Sequence, residues 1–121
     1  MKKAPVTKNI MDYMNSMSIK QYNYYQVVNI ARAIKAEYRD RRNNKIAINV
    51  KTDKGKDQLN QRTAAIVNEK MGGNYILPED VRLFKRCFVE EYTNRTGKCA
   101  WGFKDVRKRL GFDEETGIEI V

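Results

Sequence analysis

A chain of 121 residues, 41% apolar and 32% charged, has the length and balance of one folded domain rather than of a disordered segment. It has 24 Lys and Arg against 15 Asp and Glu, a formal net charge of +9, and no histidine. No apolar run approaches the roughly 20 residues of a membrane-spanning helix, and two cysteines are too few for a structural zinc site in a monomer. We therefore expect no membrane span, no metal site and no cofactor.

The N-terminal sequence MKKAPVTKN is basic but lacks the apolar stretch of a signal peptide. We therefore predict a cytoplasmic protein in which Cys87 and Cys99 are reduced thiols. No glycine-serine linker or low-complexity tract interrupts the chain. This predicts a flexible basic tail over residues 1–8 and a single globular domain over residues 9–121.

The first predicted elements are a short helical turn and the longest helix of the chain. Within residues 9–17, Ile10, Met14 and Met17 share one side of a helical turn. Ser18 followed by Gln21 matches a capping box, which predicts a helix over Ile19–Arg42. An apolar stripe on this helix is predicted to face the core: Val27, Ile30, Ala31, Ile34 and Tyr38.

The other side of this helix carries cations at helical spacing. We call these four residues the basic face: Arg32, Lys35, Arg39 and Arg42. Such a face suits contacts to a phosphate backbone, whereas a solvated surface would explain the same residues without any ligand.

The next segment predicts a strand and a second helix. Residues 45–51 alternate between apolar and polar, as a half-buried strand does, and residues 117–121 alternate in the same way. We expect the two to pair as a small ribbon. After a turn at residues 53–56, a helix is predicted from Asp57 or Gln58 to Met71, closed by Gly72. Its predicted inner stripe comprises Leu59, Thr63, Ile66, Val67 and Met71.

The third helix is predicted to begin at Pro78, with two acids in its first turn, and to end near Asn94. Its large apolar stripe predicts that this helix forms the centre of the core. The stripe comprises Val81, Phe84, Phe88 and Tyr92, with Leu83 and Cys87 beside them. Because its charges sum to zero, we assign it no binding role.

Residues 102–110 predict a short fourth helix that is cationic on one side. Phe103, Val106 and Leu110 share a face that would pack on the core. The cations of this helix are Lys104, Arg107, Lys108 and Arg109. The predicted fold is thus α+β and mainly α, with about four helices and a two-stranded ribbon, in a helix-turn-helix or winged-helix-like arrangement.

The two basic regions together predict a nucleic-acid-binding protein, with DNA favoured over RNA. The cations of residues 102–110 would act with the basic face, in an accessory or regulatory role that suits a phage-encoded protein. The alternative is a non-catalytic adaptor or inhibitor that binds an acidic surface of a protein such as a polymerase or a nuclease.

We expect no enzymatic activity and no catalytic residues, because the chain has neither histidine nor a phosphate-binding glycine loop. Magnesium binding is conceivable through four carboxylates, but their spacing fits helix caps and turns better. They are Asp53, Asp57, Glu79 and Asp80.

Overall fold

The computed structural model describes residues 5–43, 45–46, 48, 51–73 and 75–96. It gives the backbone but not the side chains of helical residues 5–6, 35, 38–39, 42 and 92–96. These ranges contain four helices, which are α1 (Pro5–Met17), α2 (Tyr24–Arg42), α3 (Asp53–Met71) and α4 (Pro78–Thr96). Helix α1 takes in residues 5–8, which the sequence assigned to a tail, and Thr7 is buried there.

The four helices close a ring around a shared core. Each helix contacts its neighbour along the chain, α4 also contacts α1, and α2 and α4 meet across the ring. Helix α4 therefore touches all three others, which explains why it carries the largest buried side chains, Phe84 and Phe88. Helix α1 contributes Ile10 and Met14, both fully buried, whereas Met17 is 43% exposed.

The predicted α+β fold with a two-stranded ribbon is wrong, because the described part of the chain is all-α and contains no strand. Lys45 N–H donates to the carbonyl of Asp40 at 2.8 Å, which folds the chain back at the end of α2. Ile46 and Ile48 are half-buried. The alternating apolar residues lie in a connection between two helices. An extended segment needs a neighbouring strand to form a sheet, and alternation alone does not supply one. Residues 117–121, the other half of the predicted ribbon, lie outside the described residues.

The start of α2 lies at Tyr24 rather than at Ile19, because two capping boxes compete and the second one forms. Asn23 Oδ1 accepts from Gln26 N–H at 2.8 Å, and Gln26 Oε1 accepts from Asn23 N–H at 2.9 Å. This reciprocal pair satisfies two N-terminal donors of the helix. Ser18 instead accepts from Lys20 N–H within the preceding loop.

Helix α3 begins earlier than predicted and ends where predicted. Thr52 is its N-cap, and its Oγ1 accepts from Gly55 N–H at 3.0 Å, so residues 53–56 form the first helical turn. Gly72 ends the helix in the left-handed conformation with φ of 75°, which confirms the glycine cap. Most of the predicted inner stripe is buried, but Ile66 is 38% exposed.

Helix α4 follows its prediction closely. It begins at Pro78, and the described members of its apolar stripe, Val81, Phe84 and Phe88, are all buried. The chain continues as helix to Thr96, two residues beyond the predicted end. None of the helices in the described ranges is both long enough and apolar enough to cross a membrane.

Candidate functional site

The predicted nucleic-acid-binding residues fall mainly in parts of the chain that the structure leaves undescribed. The cationic helix predicted at 102–110, with Lys104, Arg107, Lys108 and Arg109, lies outside the described residues. Positions 35, 39 and 42 lie on α2, but the side chains of Lys35, Arg39 and Arg42 lie outside the described part. Arg32 is the member of the basic face whose side chain is described.

Helix α2 separates its acids from its basic face. At about 100° per residue, Glu37 lies about 180° and Asp40 about 120° from the mean direction of positions 32, 35, 39 and 42. Both acids contact cations of other helices: Lys85 Nζ is 3.4 Å from Glu37 Oε1, and Arg62 is 3.4 Å from Asp40 Oδ2. The described ion pairs of these two acids therefore include cations of α3 and α4.

The N-terminal half of the basic face is less open than the sequence indicates. Val28 lies in the middle of that face and is only 4% exposed. Arg32 is half-buried, and its Nε is buried without a hydrogen-bond partner among the residues that the structure describes. We call positions 35, 39 and 42 the C-terminal half of the basic face; their side chains lie outside the described part.

A buried carboxylate lies on the opposite side of α2. Glu37 is fully buried and accepts a hydrogen bond from Thr63 Oγ1 at 3.2 Å. Lys85 Nζ lies 3.4 and 3.5 Å from its two oxygens, and Arg41 lies 3.9 Å from it. Lys85 also donates to Asn60 Oδ1 at 2.9 Å. Three helices thus meet at one carboxylate, each supplying polar side chains.

Above Glu37 lies a cleft of about 660 Å³ between α2, α3 and α4. Four cations and two carboxylates line it, together with Asn60 and Leu59. The charged residues are Arg41, Lys56, Arg82, Lys85, Asp53 and Asp57. We refer to this feature as the cationic cleft. Burial lowers the pKa of Lys85, an effect that Glu37 opposes and Arg41 reinforces.

Sequence reasoning missed the cationic cleft. It gave α4 no binding role because the charges of that helix sum to zero, yet Arg82 and Lys85 are three residues apart and share one face. It also did not place Glu37 among the buried residues of α2, and the side chain of Tyr38, which it placed on the inner stripe, lies outside the described part. The spacing of Arg82 and Lys85 was the available signal, but no local pattern connects them with Lys56.

A second buried carboxylate, Asp80, joins two loops at the start of α4. It accepts from Leu77 N–H at 2.7 Å and from Lys20 Nζ at 2.8 Å, and Tyr22 donates its hydroxyl to the other oxygen. We call this group the Asp80 clamp. Burial, reinforced by Asp80, raises the pKa of Tyr22 well above its ordinary value.

The Asp80 clamp argues against the magnesium alternative. Asp80 is 3% exposed and its two oxygens already accept three hydrogen bonds, as the capping role requires. Among the described residues, no group of three or more carboxylate or thiol side chains is placed to hold a metal ion.

Comparison of the chain with protein-family models, with curated proteins and with solved structures gave no match.

Proposed function

We propose that the protein binds nucleic acid by contacting the phosphate backbone through the C-terminal half of the basic face and the cations of residues 102–110. The charge separation on α2 is the observation that carries the proposal. Glu37 and Asp40 are held by cations of α3 and α4 on the far side of the helix. In this proposal, the cations at positions 35, 39 and 42, which the helical register places away from those acids, are the ones that attract an external polyanion.

A phosphate backbone is the polyanion that best fits a row of cations at helical spacing. Each phosphate that is neutralised releases condensed counterions, and this release supplies most non-specific affinity for nucleic acid. The excess of 24 Lys and Arg over 15 Asp and Glu favours the same class of ligand. DNA is the preferred ligand in this proposal, and the role is accessory or regulatory rather than catalytic.

We place this function in the cytoplasm. Cys87, the cysteine within the described residues, is a free thiol buried in the core. A reduced thiol is the usual state of cysteine in that compartment.

Fluorescence anisotropy with labelled duplex DNA, single-stranded DNA and RNA at two salt concentrations tests the proposal. Two double variants remove two cations each: Arg39→Ala with Arg42→Ala, and Arg107→Ala with Lys108→Ala. Each should reduce the slope of log affinity against log salt by about two, because each lost phosphate contact reduces it by about one.

The matched control is Lys8→Ala with Lys70→Ala, which removes the same charge from two exposed positions on α1 and α3. It should leave the slope within about half a unit of the parent, since neither lysine belongs to the two basic regions. Equal slopes for all three double variants would contradict the assignment of the site. Absence of binding to all three nucleic acids at low salt would contradict the function.

A second candidate, a protein-binding adaptor, is favoured by apolar side chains exposed on two loops. Ile19 is fully exposed, Tyr75 is 57% exposed and Leu77 is 47% exposed. Lys20, next to Ile19, donates to the carbonyl of Tyr75, which brings the two loops together. Exposed apolar clusters commonly mark protein contacts. The anisotropy experiment separates the two candidates, because an adaptor of this kind requires no affinity for nucleic acid.

A further inference from the structure

We propose that the cationic cleft binds a single nucleotide unit through its phosphate group. This inference rests on the proposed function, since it names a second phosphate contact, but it concerns residues outside both basic regions. The unit is either a free nucleotide or one nucleotide of a bound strand. The shared chemistry is a phosphate with hydrogen-bond donors on the attached base, to which a free ribonucleotide adds sugar hydroxyl groups.

Cations from three helices line one concave site. Arg41 comes from α2, Lys56 from α3, and Arg82 and Lys85 from α4. Their charges exceed those of the two lining carboxylates by two (four minus two). Because these three helices pack against one another, their cations can contact a multivalent anion together.

Lys56 and Arg82 are the exposed cations of the cleft. Within the described part of the chain, neither Lys56 nor Arg82 makes a salt bridge, although both are exposed at the cleft. Lys85 and Arg41 are held from below by Glu37 at 3.4 to 3.9 Å, which is long for a charge-assisted hydrogen bond. Lys56 and Arg82 are therefore the cations that a ligand in the cleft can engage most directly.

The two carboxylates that line the cleft favour a nucleotide over a bare phosphate. Asp53 and Asp57 lie one helical turn apart on α3 and would repel an anion that filled the whole cleft. Carboxylates accept hydrogen bonds from sugar hydroxyl and base amino groups, which a nucleotide presents beside its phosphate. A volume of about 660 Å³ is within the range of small-ligand sites.

Amide NMR titration of the full chain with adenosine 5′-monophosphate, pyrophosphate and a short oligodeoxynucleotide tests this inference. We expect saturable shifts centred on the amides of residues 53–60 and 82–85, with adenosine 5′-monophosphate binding at least as tightly as pyrophosphate. The double variant Lys56→Ala with Arg82→Ala should weaken nucleotide binding at least tenfold. Lys8→Ala with Lys70→Ala, which removes equal charge elsewhere, should change it less than twofold.

The variants are chosen at exposed positions so that folding is preserved, and an unchanged amide spectrum away from the cleft verifies this. Equal weakening by the two double variants, or shifts spread evenly over the lysines and arginines, would overturn the cleft as a site. Binding of pyrophosphate without binding of adenosine 5′-monophosphate would overturn the nucleotide assignment.

The oligonucleotide arm separates this inference from the proposed function. Oligonucleotide binding that survives in the cleft variant without cleft shifts, but is lost with Arg107→Ala and Lys108→Ala, would overturn the cleft and leave the function standing. Mononucleotide shifts at the cleft without any oligonucleotide binding would support the site for free nucleotides and contradict the proposed function.

Discussion

The Asp80 clamp and the site around Glu37 both bury a carboxylate among helices, but the two are held very differently. Asp80 accepts hydrogen bonds from Leu77 N–H at 2.7 Å and from Lys20 Nζ at 2.8 Å, and the Tyr22 hydroxyl donates to its other oxygen. Glu37 has Thr63 at 3.2 Å and cations at 3.4 to 3.9 Å. Asp80 is therefore held by short hydrogen bonds, whereas the contacts of Glu37 with its cations are longer.

This difference suggests that burial of a charge does not by itself distinguish a structural site from a binding site. The donors around Asp80 tie the loop before α2 to the start of α4, and the result is a closed polar group. The donors around Glu37 line a cleft of about 660 Å³, where a ligand can compete for them. We infer that Asp80 stabilises the fold and that Glu37 moderates the charge of the cleft.

The largest expected effect is the loss of stability in Asp80→Asn. An amide of the same shape cannot accept from all three donors, and hydrogen bonds to a charged group contribute about 1.5 to 3 kcal/mol each. Because Lys20 is partly exposed and can return to solvent, we expect a total loss of about 3 kcal/mol. The change in the urea midpoint, at an unchanged dependence on denaturant, measures it.

Glu79→Gln is the matched control for Asp80→Asn, because Glu79 also lies in the first turn of α4 but is exposed. It should cost no more than about 1 kcal/mol, the usual contribution of an acid near a helix N-terminus. Equal losses in the two variants would show that only the helix dipole acts at Asp80.

The next effect is an alkaline loss of stability that depends on Tyr22. Burial raises the pKa of Tyr22 above its ordinary value of 10.0, and Asp80 adds to the shift. The unfolded chain therefore loses this proton first, so stability is unaffected below about pH 10 and falls as the pH rises toward the raised value. Tyr22→Phe should remove this fall while costing about 1.5 kcal/mol at neutral pH through the lost hydrogen bond.

Urea unfolding of the parent and of Tyr22→Phe at about pH 8 and about pH 11 measures the contribution of Tyr22 to the alkaline loss of stability. The lowered pKa of Lys85 acts with opposite sign, and the raised pKa of Cys87, about 11, acts with the same sign. Both groups are present in both proteins, so their contributions cancel in the difference. An equally steep alkaline fall in the variant would contradict the role of Tyr22.

The sequence predicted α4 best because its signals are local. Pro78 marks the first turn, and Phe84 and Phe88 repeat at helical spacing, so the start and the buried face can be read from neighbouring residues. The start of α2 was missed because Ser18 and Asn23 each begin a capping pattern. Only the surrounding contacts select Asn23.

The ribbon and the cleft show what a local pattern leaves undetermined. Apolar alternation at Ile46 and Ile48 fits a strand, but a strand also needs a neighbour, and in the described residues these isoleucines belong to a connection between helices. The cleft joins Arg41, Lys56 and Arg82, which are far apart in the chain. Their proximity follows from how α2, α3 and α4 pack, so no spacing rule could have found it.

Glu37→Gln should cost less stability than Asp80→Asn. Glu37 is fully buried, but its contacts to cations are long and its partners Lys85 and Arg41 are partly exposed and can turn to solvent, so we expect a loss of about 1 to 2 kcal/mol. The variant also removes one negative charge beneath the cationic cleft. This loss of repulsion is worth about 1 kcal/mol to a bound phosphate, or roughly fivefold in affinity.

The most direct test of the contrast between the two carboxylates is therefore the affinity of adenosine 5′-monophosphate for Glu37→Gln, Asp80→Asn and the parent, measured under conditions in which all three are folded. The account predicts roughly fivefold tighter binding to Glu37→Gln and unchanged binding to Asp80→Asn. Unchanged or weaker binding to Glu37→Gln, or equal changes in both variants, would contradict it.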